Sequence, residues 1–182
     1  MSGIIEKGNN GLFENEIEFT GKYATYARYL RDEAEIFATF REIYLMSAVI
    51  GFVENKKGTP DNTELKVSPA SIFATDLAKR RRDLKFIYRT IILLNSDSNS
   101  SMEERKNRAF KEDRETNGIM LKENMALFHS YVCGGLEYLY QQFDGVHDLD
   151  DKVNRLHELF EIFSLKNGII KDEGLPSYDS IG

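Results

Sequence analysis

The stretch Ile43 to Val53 (IYLMSAVIGFV) is apolar almost all the way round, apart from Ser47 and Gly51. A helix without a polar face persists only when protein surrounds it. This segment therefore predicts a central helix, the second half of a run from about Ala34 to Glu54 that also carries Phe37 and Phe40. The remaining elements must form a shell around it. Gly51 costs about 1 kcal/mol against alanine inside a helix, so it marks either a close backbone crossing or the fraying end. Gly134-Gly135 interrupts a second apolar stripe at about twice that cost. Close approach of another helix, a local break or a partner's backbone are the physical reasons to keep such a pair. Tyr131, Gly134 and Gly135 are thus candidate close-packing or interface residues.

The shell can be read from helical spacing. Tyr23, Tyr26, Ala27 and Leu30 follow an i, i+3, i+4, i+7 pattern after Gly21. Residues 55–68 hold Gly, Pro, Asn, Asp and charge, and predict a loop. Ser68-Pro69 reads as an N-cap with proline at the first helical position, opening a helix to Leu94. NSDSNSS at 95–101 breaks the pattern, and Ser101 with Glu104 forms a capping-box signature for a charged helix that Asn117-Gly118 would end. From about Leu121 to Phe143, Met125, Phe128, Val132, Leu136 and Leu139 share one stripe. A last helix starts near Asp148, with Val153, Leu156, Leu159, Phe160 and Phe163 on its apolar face. Ile17 and Phe19 alternate with Glu16 and Glu18, a strand-like pattern too brief to count as a sheet. The expected fold class is all-α: a compact bundle of five to six helices with a short N-terminal strand-like segment. Its organisation is an N-terminal extension over 1–21, a helical domain over 22–168 and a mobile tail over 169–182.

A chain of 182 residues with 41% hydrophobic and 30% charged residues is one globular domain with tails. Its single cysteine, Cys133, excludes an internal disulfide. The N-terminus shows no basic-then-apolar leader, and no apolar stretch approaches the roughly 20 residues of a membrane span. The cytoplasm is the expected compartment, without a membrane partner.

Motifs for catalysis are scarce. Neither a phosphate-binding loop nor GxGxxG, GxSxG or HExxH occurs. His129, His147 and His157 have spacings that suit no metal motif. The carboxylate pairs Glu103/Glu104, Asp150/Asp151 and Asp172/Glu173 sit in strings of charge that read as solvent-facing. An enzyme would have to assemble its site from Glu42, His129 or Cys133, and a buried inert thiol is the simpler reading of the last. No cofactor or metal is expected.

The sharpest electrostatic feature is Lys79-Arg80-Arg81-Arg82, with Lys85 and Arg89 downstream and Asp83 the one carboxylate among them. Four consecutive cations project in all directions from a helix, so the segment cannot be buried on every side. It is either a phosphate or acidic-partner contact or a solvated turn balanced by acids elsewhere. Aromatic residues do not interleave with the four-cation run, which argues against a stacking surface for single strands. The chain as a whole is acidic, at net −6.

Three stretches carry a family likeness: Ile36 to Glu42 running into Ala48 to Phe52; Leu84 to Tyr88 running to Leu93-Leu94; and Leu127-Phe128-His129-Ser130-Tyr131-Val132-Cys133-Gly134-Gly135-Leu136-Glu137. The last resembles a phenylalanine–x–x–tyrosine–x–x–glycine–glycine–leucine–glutamate signature. Over about residues 36–165 the chain is similar to small bacterial proteins labelled as DNA phosphorothioation-associated. It departs from them in Val132-Cys133 and in a charged insertion at about 96–120. The resemblance implies a setting beside DNA-modification and phage-defence functions rather than a reaction. The expected function is a non-enzymatic accessory subunit docking on a larger protein partner of such a system. The alternative is a nucleic-acid-binding module using residues 79–89. DNA is a candidate partner, and homo-oligomerisation stays open.

Overall fold

The computed structural model describes residues 3–8, 11–59, 61, 68–95, 100–111, 114–146 and 148–166, apart from the side chains of 114–117 and 165–166. Among the described residues are seven α-helices and one three-stranded antiparallel sheet. The shell is mostly helical as expected, with seven helices rather than five to six, and the sheet corrects the all-α class. Strand β1 (Ile4–Lys7) pairs with β2 (Glu16–Phe19), which pairs with β3 (Ala70–Ile72). Ile4 faces Phe19, and Ile17 faces Ile72. Period-two alternation buries Ile17 and Phe19 and turns Glu16 and Glu18 outward, where Lys7 pairs with both. The N-terminal segment over 1–21 supplies core side chains: Ile4, Leu12, Phe13, Ile17 and Phe19 are all buried.

β3 falls where the sequence predicts a helix start. Ser68-Pro69 does not cap a helix. The Arg28 guanidinium donates to both of their carbonyls at 2.8 Å, and the chain beyond them pairs with β2. Inward Ala70 and Ile72 serve a strand, so a spacing read as helical was a strand followed by a turn. Helix resumes as α3 (Ala74–Ala78), breaks at Arg80 with φ −128° and ψ 20°, and continues as α4 (Arg81–Leu94).

The central helix also begins later than its apolar run. α1 (Lys22–Arg28) passes into a π-helical turn over Tyr29–Glu33, and Glu35 then adopts φ 50°, which stops the helix. α2 spans Phe40–Val53. Thr39 Oγ1 accepts the Glu42 N–H at 3.2 Å and the Glu42 carboxylate accepts the Thr39 N–H at 3.0 Å, a reciprocal capping box. At the other end Asn55 takes φ 48°. The Lys56 N–H donates to the Gly51 carbonyl at 2.7 Å and the Asn55 N–H to that of Phe52 at 3.1 Å. These are the two bonds of a Schellman stop. Asparagine tolerates the left-handed conformation that the stop requires.

α5 (Met102–Phe110) starts at the Ser101–Glu104 capping box. Asn117-Gly118 does not end a helix, because both lie inside α6 (Arg114–Phe143). A Cβ at Gly118 would meet nothing, so this glycine costs propensity only, about 1 kcal/mol, and the packed residues downstream hold the helix. Asp144-Gly145 then closes α6, with Gly145 at φ 78°. α7 (Leu149–Lys166) opens with Asp148 Oδ1 accepting the Asp151 N–H at 2.8 Å. The tail over 169–182 lies outside the described residues.

α2 and α6 form the axis of the molecule. A Cβ on Gly51 would fall on the Tyr131 carbonyl oxygen, and one on Gly135 on the Ser47 carbonyl oxygen. Because Ser47 meets Gly135 while Gly51 meets Tyr131, the two helices run antiparallel at the crossing. The chain after the Schellman stop returns over α6. There Gly134 lies under the Lys56 carbonyl, and the Gly58 N–H donates to the Ser130 carbonyl at 2.8 Å. All three glycines thus face backbone, which cannot swing aside. Beside the crossing, Phe13, Tyr44, Tyr88 and Phe128 form a cluster of edge-to-face and tilted ring contacts with centroids 5.7–6.5 Å apart. Phe13 reaches it from a turn where its own φ is 59°.

Candidate interaction surfaces

Glu42, His129 and Cys133, the candidates for an enzyme site, each hold structural contacts. Glu42 closes the α2 cap. His129 is buried on α6, with its Nε2 2.9 Å from Tyr44 Oη. Burial lowers its pKa to about 4, so the ring is neutral at neutral pH. Cys133 is buried under Gly58 and beside Tyr23, and burial pushes its thiol up to about 12. A neutral thiol is a poor nucleophile. Next to it, the Tyr23 hydroxyl donates to Glu137 Oε1 at 2.7 Å and lies 2.8 Å from the Thr59 carbonyl. Lys22 pairs with the same Glu137 carboxylate at 2.7 Å, an ion pair that raises the Lys22 pKa. This network ties α1, the returning loop and α6 together. His157 sits on α7, 3.9 Å from Glu161, and His147 lies outside the described residues. Glu104 serves the α5 cap, Asp150 and Asp151 lie in the first turn of α7, and Asp172 and Glu173 lie outside the described residues. Among the described residues no group of three or more His, Cys, Asp and Glu could hold a metal ion.

The packing candidates meet inside the molecule. Gly134 and Gly135 carry the α2–α6 crossing described above. Tyr131 donates its hydroxyl to Asn95 Oδ1 at 3.0 Å, packs edge-on to Phe52 at 5.4 Å, and has the Lys57 ammonium 5.0 Å from its ring.

The basic run divides at the α3–α4 break. Lys79 pairs with Asp76 at 2.6 Å, which holds the Asp76 carboxyl below its usual range. Arg80 pairs with Asp83 at 3.2 Å and Arg81 with Glu14 at 3.3 Å. These are surface pairs, each worth about 0–1 kcal/mol. Arg82 is exposed, as is Phe86 one turn on, which is 70% exposed. The Arg89 guanidinium lies 5.3 Å from the ring of Phe110, which α5 brings alongside and which is 56% exposed. The fold therefore puts open aromatic rings beside the cations. Phe86 already stands between Lys85 and Arg89 in the sequence; Phe110 arrives only through packing.

A second surface escaped the sequence reading because its residues look like core. On α7, Leu149, Val153, Leu156 and Phe160 are 72, 55, 46 and 58% exposed. Their spacing of four, three and four residues puts them on one stripe. Leu159 and Phe163 at the edge of that face pack on the core, Ser164 in the last turns of the helix is buried, and Lys152 reaches Glu35 at 3.2 Å.

No family model matches the chain, and neither does any curated protein or solved structure. None of the helices described is long and apolar enough to cross a membrane.

Proposed function

We propose that this chain is a non-enzymatic interaction subunit that docks on a larger protein partner through α7. The observation that carries this reading is the open stripe of Leu149, Val153, Leu156 and Phe160. A helix of that pattern gains little by leaving its face in water, and each such side chain contributes about 1.5–3 kcal/mol when a partner covers it fully. Helix-in-groove recognition uses anchors at this spacing. The buried, hydrogen-bonded states of His129 and Cys133 favour a contact role over a catalytic one. The likeness of residues 36–165 to DNA phosphorothioation-associated proteins supplies the setting we propose, a cytoplasmic DNA-modification or anti-phage assembly in a bacterium.

The test is co-expression of the full chain with the products of its neighbouring genes, followed by size-exclusion chromatography with light scattering. A complex of fixed stoichiometry is expected. The pair Leu156→Glu and Phe160→Glu should abolish it while leaving the thermal melt of the isolated chain unchanged. A complex that survives both substitutions defeats the assignment to α7. A chain that stays alone and monomeric in every co-expression defeats the subunit reading itself.

A further inference from the structure

The open stripe of α7 is bordered by carboxylates on both sides. One residue beyond Leu149, Val153, Leu156 and Phe160 stand Asp150, Asn154, His157 and Glu161. They repeat the spacing of the anchors and so form a polar border along one side of the stripe. Asp150, Asn154 and His157 are exposed and Glu161 is partly so. The border on the other side, one residue before the anchors, includes Lys152 and Leu159, which meet the body of the molecule. The first border is therefore the outer one. On the inner side Lys152 is held by Glu35, whose own side chain is 72% exposed, so a carboxylate stands there as well. Arg155 on that side pairs with Glu158 at 3.2 Å. Both cations beside the stripe are thus engaged within the chain. On the outer side Glu161 lies 3.9 Å from His157, and no Lys or Arg among the described residues pairs with it or with Asp150.

Taking α7 as the docking helix, we infer that its partner is a protein with an apolar groove rimmed by Lys and Arg, one rim meeting Asp150 and Glu161 and the other Glu35. Complementary charge selects this occupant. Two copies of the chain would oppose like charges. Antiparallel α7 helices would bring their outer borders together, and parallel ones would set an outer border against Glu35. Nucleic acid and anionic lipid are repelled by the same carboxylates. The apolar anchors hold the complex, and the rim charges guide the two surfaces together. Charges at a rim change the association rate and its salt dependence more than the dissociation rate.

The experiment uses the full chain and the neighbouring-gene product that co-elutes with it, purified separately and recombined on a biosensor. Association should slow about tenfold as salt rises from about 50 to about 500 mM, while dissociation changes little. Asp150→Lys with Glu161→Lys should slow association about tenfold at low salt and remove the salt dependence, with Asp150→Asn and Glu161→Gln falling between. Thermal melts close to that of the parent chain confirm that each variant folds. Leu156→Glu with Phe160→Glu reports whether binding runs through α7. Binding that this pair abolishes, but that neither salt nor the charge variants alter, overturns the basic rim and leaves α7 docking standing. Binding that survives the pair, or absence of binding to every neighbouring-gene product, overturns both. Faster association of the lysine variants overturns the proposal in favour of an acidic partner. A dimer of the isolated chain that the same pair dissolves overturns it in favour of a second copy. Co-sedimentation of the isolated chain with phosphatidylserine vesicles, lost in that pair, overturns it in favour of a lipid surface.

Discussion

α6 and α7 are neighbours in the chain, and both carry an apolar stripe, yet they end in opposite states. On α6, Phe128, Val132, Leu136, Leu139 and Phe143 are buried. On α7, Leu149, Val153, Leu156 and Phe160 are open to solvent. Hydrophobicity does not separate the two stripes. What separates them is the presence of a surface that fits. α6 has Gly134 and Gly135, which let α2 and the returning loop come to backbone contact, so its neighbours close over the stripe. α7 has no glycine on its stripe and meets the body through Leu159, Phe163, the buried Ser164 and the Lys152–Glu35 pair. An apolar stripe is thus a demand for a partner, and only one of these two demands is met within the chain.

The contrast can be broken most directly with two phenylalanines. Phe128→Ala should cost about 3–5 kcal/mol, because it empties the centre of the aromatic cluster. Its counterpart Phe160→Ala, measured by the same urea titration, should stay within about 0.5 kcal/mol. Similar losses at both sites would show that α7 is held as firmly as α6.

Gly135→Val tests what closes α6. The new side chain would meet the Ser47 carbonyl, and overpacking against backbone should cost about 3 kcal/mol or more. Gly118→Ala, on the same helix in open space, should instead stabilise by about 0.5–1 kcal/mol. Urea midpoints moving the same way in both variants would remove the crossing from the account.

The buried side of the comparison also responds to pH. His129 has a folded pKa of about 4, below the ordinary value of 6.5, because burial disfavours its charged form. The unfolded chain therefore binds the extra proton between those values, and stability rises with pH across that window. The contribution is full above pH 6.5 and falls away as pH drops to 4, by about 3 kcal/mol in all. Urea midpoints taken from pH 7.5 down to 4.5 should track this loss. His129→Gln should flatten that part of the profile while lowering stability at pH 7, since Tyr44 loses its ring partner.

The smallest effect belongs to the cap. Thr39→Ala should cost about 1 kcal/mol by freeing the Glu42 N–H at the start of α2. Ser101→Ala at the matching box on α5 should cost less of the global stability, because α5 is more exposed and frays locally. Equal shifts in the global melt would place α5 in the same cooperative unit as α2.

Much of this architecture was legible in the residues. The all-apolar face from Ile43 onward requires enclosure, the stripe from Met125 to Phe143 requires a partner, and Ser101–Glu104 and Asp148 mark helix starts, all through interactions within a few residues of one another. The glycines at 51, 134 and 135 signalled close approach, but not what approached. The sheet escaped because strands of three and four residues have too little length to show a period, and β3 acquires its identity only from β2 and Arg28, far away in sequence. The exposed face of α7 and the ring that Phe110 brings to the basic run escaped for a related reason. Val153 and Val132 are the same residue at the same kind of helical position, and nothing local says that one will be covered. Phe110 and Arg89 meet only because α5 folds back on α4. Local chemistry decides where helices begin, end and turn greasy. Which greasy or charged face stays in water depends on how the elements fill space around one another, and that is settled only when the whole chain has packed.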